Sequence, residues 1–305
     1  MPAIQSAIAS SCCKPRDAFT PPGYALPALA CDSHAHVFGP FQRFPLDENR
    51  SYTPEENSIE RFRWHLSRLG LQRGVLVTAS AYGLNNSILL DALGRYPDQL
   101  RGVAVADRHT SIATLIAWKE TGVRGLRFNL YSISGQKIYR NGVGLEALEA
   151  LAPGMREAGM HAQIWVHAPD LVELEPRFRA LRVPVVIDHM GRMNVSYGAD
   201  NPGFLRLCAM LADGVAWTKL SGADRNTGGQ PGYRDIDGFA ARLIAANPER
   251  LVWGSDWPHI NYFKDSDVPD DGILLQALKR WLPDGTRRNA VLADNPATLY
   301  GFPML

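Results

Sequence analysis

A (β/α)8 barrel is the fold this sequence predicts, on three observations. Eight short runs rich in β-branched residues recur after residue 30, and eight windows of helical patterning separate them. The turn after the first run reads HAHVFGPF, without the GxGxxG that a doubly wound open sheet, the alternative, normally carries there. The reactive residues gather at the ends of the runs, the C-terminal mouth where a barrel holds its site.

In chain order, strands are expected near 31–37 (CDSHAHV), 73–79 (RGVLVTA), 101–106 (RGVAVA), 123–129 (VRGLRFN), 161–167 (HAQIWVH), 184–189 (PVVIDH), 215–221 (VAWTKLS) and 250–255 (RLVWGS). Helices are expected near 56–70, 86–95, 111–121, 144–159, 170–181, 202–213, 235–247 and 273–282. The first window shows the reasoning. Ile59, Phe62, Leu66 and Leu69 fall on one face at steps of three and four, the charged residues fall elsewhere, and Gly70 closes it. Residues 1–30, with Pro15, Pro21, Pro22, Gly23 and Pro27, are expected to form an N-terminal arm on a single barrel domain of 31–305.

Composition narrows the function classes. The 305 residues carry 32 Lys+Arg against 31 Asp+Glu, a net charge of +1, so no basic footprint for nucleic acid exists. At 46% hydrophobic and 21% charged the chain is ordinary globular material. Cys12, Cys13, Cys31 and Cys208 form neither a disulfide framework nor a zinc spacing, which points to a reducing cytoplasmic setting. The first residues lack a basic segment followed by a long apolar one, and no stretch approaches the ~18 apolar residues of a membrane span. Nothing in the sequence speaks to oligomeric state.

Three strand ends carry the chemistry. His34 and His36 are two apart, so both imidazoles point to one side of the first strand. They fit either a pair of buried, hydrogen-bonded core histidines or a pair acting on one metal ion or one carbonyl oxygen. The sixth strand ends in Asp188-His189 and runs on to Arg192; the eighth ends in Asp256 and runs on to His259. Asp256 fits a turn cap, but a carboxylate at a strand end facing three histidines better fits a general base or metal ligand. On the fourth strand Arg127 shares a face with Gly125 and Asn129, opposite Arg124 and Phe128, which assigns Arg127 to the pocket.

HAH, HVFGP, RSYTP, GVRGLRFN, VVIDHMGR, GSDWPH, VPDDG and the terminal DNPATLYGF together resemble the amidohydrolase superfamily, in its amidohydrolase-2 branch, and within it the 2-pyrone-4,6-dicarboxylate lactonases. The resemblance covers most of 31–302. It implies a lactone hydrolase in which Asp256 activates water while His34, His36 and His189 polarise the ring carbonyl. It implies that Arg127 and Arg225 hold a carboxylate, and that Tyr52, Trp165, Arg192 and His259 shape the substrate pocket. The partner it implies is a small anionic lactone. Related readings are a sulfomuconolactone or sugar-acid lactone hydrolase or isomerase, a metal-dependent decarboxylase, and, outside enzymes, an inactive barrel that binds an acidic metabolite.

Two departures bear on substrate and cofactor. After RFN those lactonases have a further basic residue; here Leu130 to Ser134 intervene and the next cation is Lys137. The fifth strand has Trp165 where the lactonases have tyrosine and metal-dependent relatives have histidine. No metal is therefore expected to be required. Any divalent ion, such as zinc, would bind weakly or partially through His34, His36 and Asp256, with His167 as a further ligand only if a bulge brings it back.

Overall fold

The computed structural model describes residues 11–133 and 135–304; residues 1–10 of the expected arm lie outside it. Eight parallel strands follow one another around the sheet in sequence order. They are β1 (Cys31–Ala35), β2 (Arg73–Val77), β3 (Leu100–Ala104), β4 (Val123–Asn129), β5 (His161–Trp165), β6 (Val185–Ile187), β7 (Ala216–Leu220) and β8 (Leu251–Trp253). β1, β2, β3, β5 and β7 are buried along their whole length, as strands covered on both faces must be. The ring closes just beyond β8, where Asp256 N–H donates to His34 O at 2.9 Å and His36 N–H to Trp257 O at 2.8 Å.

The helices on the outside are α1 (Ile59–Leu69), α2 (Ser87–Arg95), α3 (Ile112–Glu120), α4 (Leu145–Glu157), α5 (Leu171–Leu181), α6 (Pro202–Ala212), α7 (Asp237–Ala246) and α8 (Asp271–Trp281). Each lies within a few residues of its expected window. α1 begins where the Ser58 side chain accepts from Arg61 N–H, and ends at Gly70, left-handed at φ 85°. It buries Ile59, Phe62, Leu66 and Leu69, together with His65. Asn201 and Asp270 cap α6 and α8 in the same way. No helix among the described residues is long and apolar enough to cross a membrane.

Two features escape sequence patterning. A two-residue hairpin, Ser132–Ile133 with Gln136–Lys137, stands over the mouth after β4. The DNPATLYGF segment forms a terminal helix, Asn295–Tyr300, that seals the opposite end. Asn295 Nδ2 donates to Leu251 O at 2.7 Å, and Tyr300 and Phe302 pack with Val75, Val77 and Val103.

Residues 11–30 lie along the barrel. Cys12 N–H donates to Thr53 O and Cys13 N–H to Tyr262 O. Thr20 binds Asp270, the α8 cap, through both N–H and Oγ1. This docking needs a bare backbone at Gly272, where a Cβ would stand 1.6 Å from Thr20 O. Gly272→Ala is therefore expected to lift the arm and cost about 1–3 kcal/mol. Thermal unfolding and proteolysis of the arm check it; unchanged values for both would remove the arm from the stability of the domain.

Candidate active site

Glycine lets β8 reach β1: a Cβ on Gly254 would stand 2.8 Å from both Cβ and N of His34. Asp32 then ties the two ends together, accepting from His34 N–H, Ser255 N–H and the Ser255 hydroxyl. Burial pushes its carboxyl up to about 6 against those three donors. The closure brings Asp256 onto the histidine pair. Asp256 Oδ1 lies 3.6 Å from His34 Nε2, 3.5 Å from His36 Nε2 and 4.0 Å from His189 Nε2. Burial alone would raise the Asp256 carboxyl, but the surrounding imidazoles hold it well below the usual range, as a carboxylate. Burial and the nearby Lys219 ammonium push His34 down, and burial lowers His189, so both are neutral near pH 7.

The loops holding these groups are strained. Of nine non-glycine residues with positive φ among the described residues, six are His189, Met190, Arg192, Asp256, His259 and Asn261. Backbone in this region persists only where its surroundings over-determine it, and such positions cluster at functional sites.

Hydrogen bonds orient the rings. His36 Nδ1 lies 2.7 Å from Val77 O. A carbonyl only accepts, so the proton is on Nδ1 and the Nε2 lone pair faces inward, 3.5 Å from Arg127 Nη1. His189 Nδ1 pairs with Ser221 Oγ at 2.9 Å.

Behind His34 lies a charged cluster that sequence reasoning missed. Lys219 Nζ is fully buried, 3.0 Å from His34 Nδ1, 2.7 Å from Gln163 Oε1 and 3.2 Å from Asp188 Oδ1. Burial pushes its ammonium down to about 8, while Asp188 pulls the other way. Asp188 is held well below the usual carboxylate range by Lys219 and His34, despite its burial. The available signal was a lysine inside VAWTKLS, a strand expected to be covered on both faces.

A cavity of ≈190 Å³ opens over this floor. His36, His189, Asp256, Arg127, Arg192, Arg225 and Trp165 all line it. Tyr131 and Tyr139 also line it and stack on Trp165, with centroids at 4.7 and 4.9 Å. Ile133 and Ile138 of the hairpin region add an apolar rim, whereas Lys137 is not among the lining residues. Arg192 donates to Arg225 O at 2.8 Å, and Arg225 donates to Ile260 O and lies over the Tyr262 ring.

Two expected pocket residues stand elsewhere. Tyr52 is buried behind Tyr139, centroids 5.6 Å apart, and does not reach the cavity. His259 turns from the mouth and pairs with Asp271 of α8 at 3.0 Å, whose other oxygen faces His65 Nε2 at 3.1 Å. Their influence on the pocket runs through the residues they support.

Donor atoms of His34, His36 and Asp256 lie within 4.8 Å of one another, as do those of His34, Asp188 and His189. The spacing of the first set suits a three-ligand divalent site only where His34 Nε2, buried without a hydrogen-bond partner, carries no proton. His167 belongs to neither set. β5 ends at Trp165 without a bulge, and His167 packs edge-on against Tyr131 and Tyr197.

A carboxylate facing imidazoles beneath an arginine-rich mouth, at the C-terminal end of a barrel, is an arrangement suited to hydrolysis. The chain matches the amidohydrolase family over residues 31–302 and belongs to that family. It is 37% identical over 306 residues, 99% of each chain, to the 4-sulfomuconolactone hydrolase of Rhizobium radiobacter. It is also 37% identical over 288 residues, 92% of each chain, to the 2-pyrone-4,6-dicarboxylate hydrolase of Comamonas testosteroni. The structure of a probable 2-pyrone-4,6-dicarboxylic acid hydrolase from Acinetobacter baumannii, with citric acid bound, superposes at a TM-score of 0.73. That match has 27% identity and covers 90% of this chain and 100% of the other.

Proposed function

We propose that this chain is a lactone hydrolase that opens a small anionic ring by attack of water on its carbonyl. One observation carries the reading: the Asp256 carboxylate faces three imidazoles on a cavity lined by three guanidinium groups. The two lactone-hydrolysing relatives support it.

Arg127, Arg192 and Arg225 draw the substrate anion to one side, which places the ring carbonyl over the floor. Asp256 takes a proton from water as its oxygen attacks the carbonyl carbon. The tetrahedral oxyanion lies among Arg127 and the imidazoles. His36, with its lone pair inward, steadies Arg127. Collapse breaks the bond to the ring oxygen, and protonated Asp256 returns its proton to that leaving oxygen. A divalent ion on His34, His36 and Asp256 would supply Lewis-acid polarisation of the carbonyl, but the reaction as read here does not require it.

The substrate class favoured is a lactone with carboxylate groups, as in 2-pyrone-4,6-dicarboxylate. A sulfonated muconolactone is the second reading. The likeness to the 4-sulfomuconolactone hydrolase over 99% of each chain favours it, and Ile133 and Ile138 line the side where a further cation was expected. A reducing, cytoplasmic setting is supported by the four cysteines, all free.

A lactone panel followed by absorbance tests the activity. Asp256→Asn is expected to keep the fold, by circular dichroism, and to lower turnover by about 10²–10⁴-fold; near-normal turnover would remove Asp256 from the chemistry. Arg127→Met is expected to raise KM for carboxylated lactones by roughly 10- to 100-fold through loss of charge-assisted hydrogen bonds. If neither KM nor kcat moves, this arginine does not hold substrate. Activity is expected to survive exhaustive chelation. Stoichiometric zinc in the purified protein, with activity lost on its removal and regained on its return, would overturn the metal-independent reading.

A further inference from the structure

The buried Lys219 takes no direct part in the reaction described above, yet it touches His34, whose inward nitrogen is buried without a hydrogen-bond partner. An ammonium has three protons and no lone pair. Lys219 Nζ has two hydrogen-bond acceptors, Gln163 Oε1 at 2.7 Å and His34 Nδ1 at 3.0 Å, and an ion-pair contact with Asp188 Oδ1 at 3.2 Å. Gln163 is fixed as an acceptor toward Lys219 because its own Nε2 donates to Asp188 Oδ2 at 3.2 Å. The remaining directions follow. His34 Nδ1 accepts from the ammonium, so the ring proton sits on Nε2. That Nε2–H is buried, unpartnered and turned toward Asp256, 3.6 Å away. A buried donor left unpaired is costly, and an oxygen arriving in the site would relieve that cost.

From this juxtaposition we propose that Lys219 is a positioning residue with two effects: it fixes His34 as an Nε2–H donor for the oxyanion, and it keeps the His34–His36–Asp256 set from binding divalent metal. The proposal rests on the lactonase reading for its first effect only. The second follows from the same proton. A metal at His34 needs the Nε2 lone pair, which moves the ring proton to Nδ1 and points it at the ammonium. Without Lys219, the Nδ1–H would instead meet Asp188 Oδ1, now 3.3 Å away. That is the carboxylate–histidine arrangement that supports metal-ligating histidines generally. His36 already presents its lone pair inward, so the choice between oxyanion hole and metal site falls to Lys219 through His34.

The test uses the full-length protein labelled with imidazole-15N histidine, His34→Gln to assign the His34 signals, and the variant Lys219→Met. Because Lys219→Met leaves Asp188 charged and buried, the double variant Lys219→Met with Asp188→Asn guards against a failure to fold. Nitrogen shifts are expected to show the Nε2–H form of His34 in the wild type and the Nδ1–H form in either folded variant. Zinc titrated calorimetrically is expected to bind Lys219→Met tighter by about tenfold or more, a carboxylate behind a ligating histidine being worth roughly 10–100-fold. Loss of the donor is expected to lower kcat by about 10²–10³-fold while leaving KM nearly unchanged. An Nδ1–H His34 in the wild type, or a folded variant with unchanged His34 tautomer and zinc affinity, would overturn the proposal. The tautomer and zinc measurements need no substrate, so a chain that opens no lactone would sink the functional reading while those two results still decide this one.

Discussion

The site depends on how the barrel closes. β1 and β8 are farthest apart in sequence, and their junction is where the chemistry is built. Two main-chain hydrogen bonds, Asp256 N–H to His34 O and His36 N–H to Trp257 O, set the register. They place a carboxylate opposite two imidazoles that could not otherwise meet it. Asp32 and Ser255 lock the same junction from below, and Gly254 permits the approach. A residue shift there would turn alternate side chains away from the interior. The family motifs at these two strand ends are therefore as much statements about closure as about catalysis.

Charge is the second organising constraint. The floor holds the Lys219 cation with the Asp188 and Asp256 anions, and the mouth adds three guanidinium groups. In a low-dielectric site such charges survive only when paired and hydrogen-bonded. Lys219 donates to Gln163 and His34 and is ion-paired with Asp188, which itself accepts from Gln163 and lies beside His34. Arg192 and Arg225 are tethered to main-chain carbonyls, and Arg225 also pairs with Asp224 at 3.4 Å; among the described residues Asp256 is the one carboxylate that lines the cavity. The surplus of positive charge at the mouth is what an anionic substrate would neutralise.

Much of this was legible in the sequence because period and position carry it. Strand runs of β-branched residues and helices at steps of three and four placed all sixteen barrel elements within a few residues. Strand parity alone put Arg127 inside, where it lies buried on the cavity. What was hidden depends on tertiary geometry. A lysine in a strand ordinarily reaches solvent, and only the closed interior, with Asp188 from β6 and Gln163 from β5 converging, makes Lys219 a buried cation. His259 follows a left-handed backbone at φ 62° that motif spacing does not reveal, and it turns outward to Asp271. Tyr52 stands one aromatic layer back from the cavity because Tyr139, on the segment after the hairpin, takes the inner place.

These constraints meet at His34. Its backbone carbonyl takes part in closing the barrel, its Nδ1 receives the buried ammonium, and its Nε2 faces the reacting space. With Nδ1 of the ring held by the ammonium, its proton inventory is decided by the neighbours behind it. Arg127 lies 3.5 Å from the inward nitrogen of His36, so a cation already stands beside the second histidine as well. On the proposed reading, fixed side-chain cations supply the electrostatic stabilisation of the developing charge. Such groups are preorganised and need no loading step, and they act most strongly where water is excluded. The cost is that their donors point in fixed directions. The substrates that suit the site are those whose developing negative charge arrives between Asp256, Arg127 and the histidine floor.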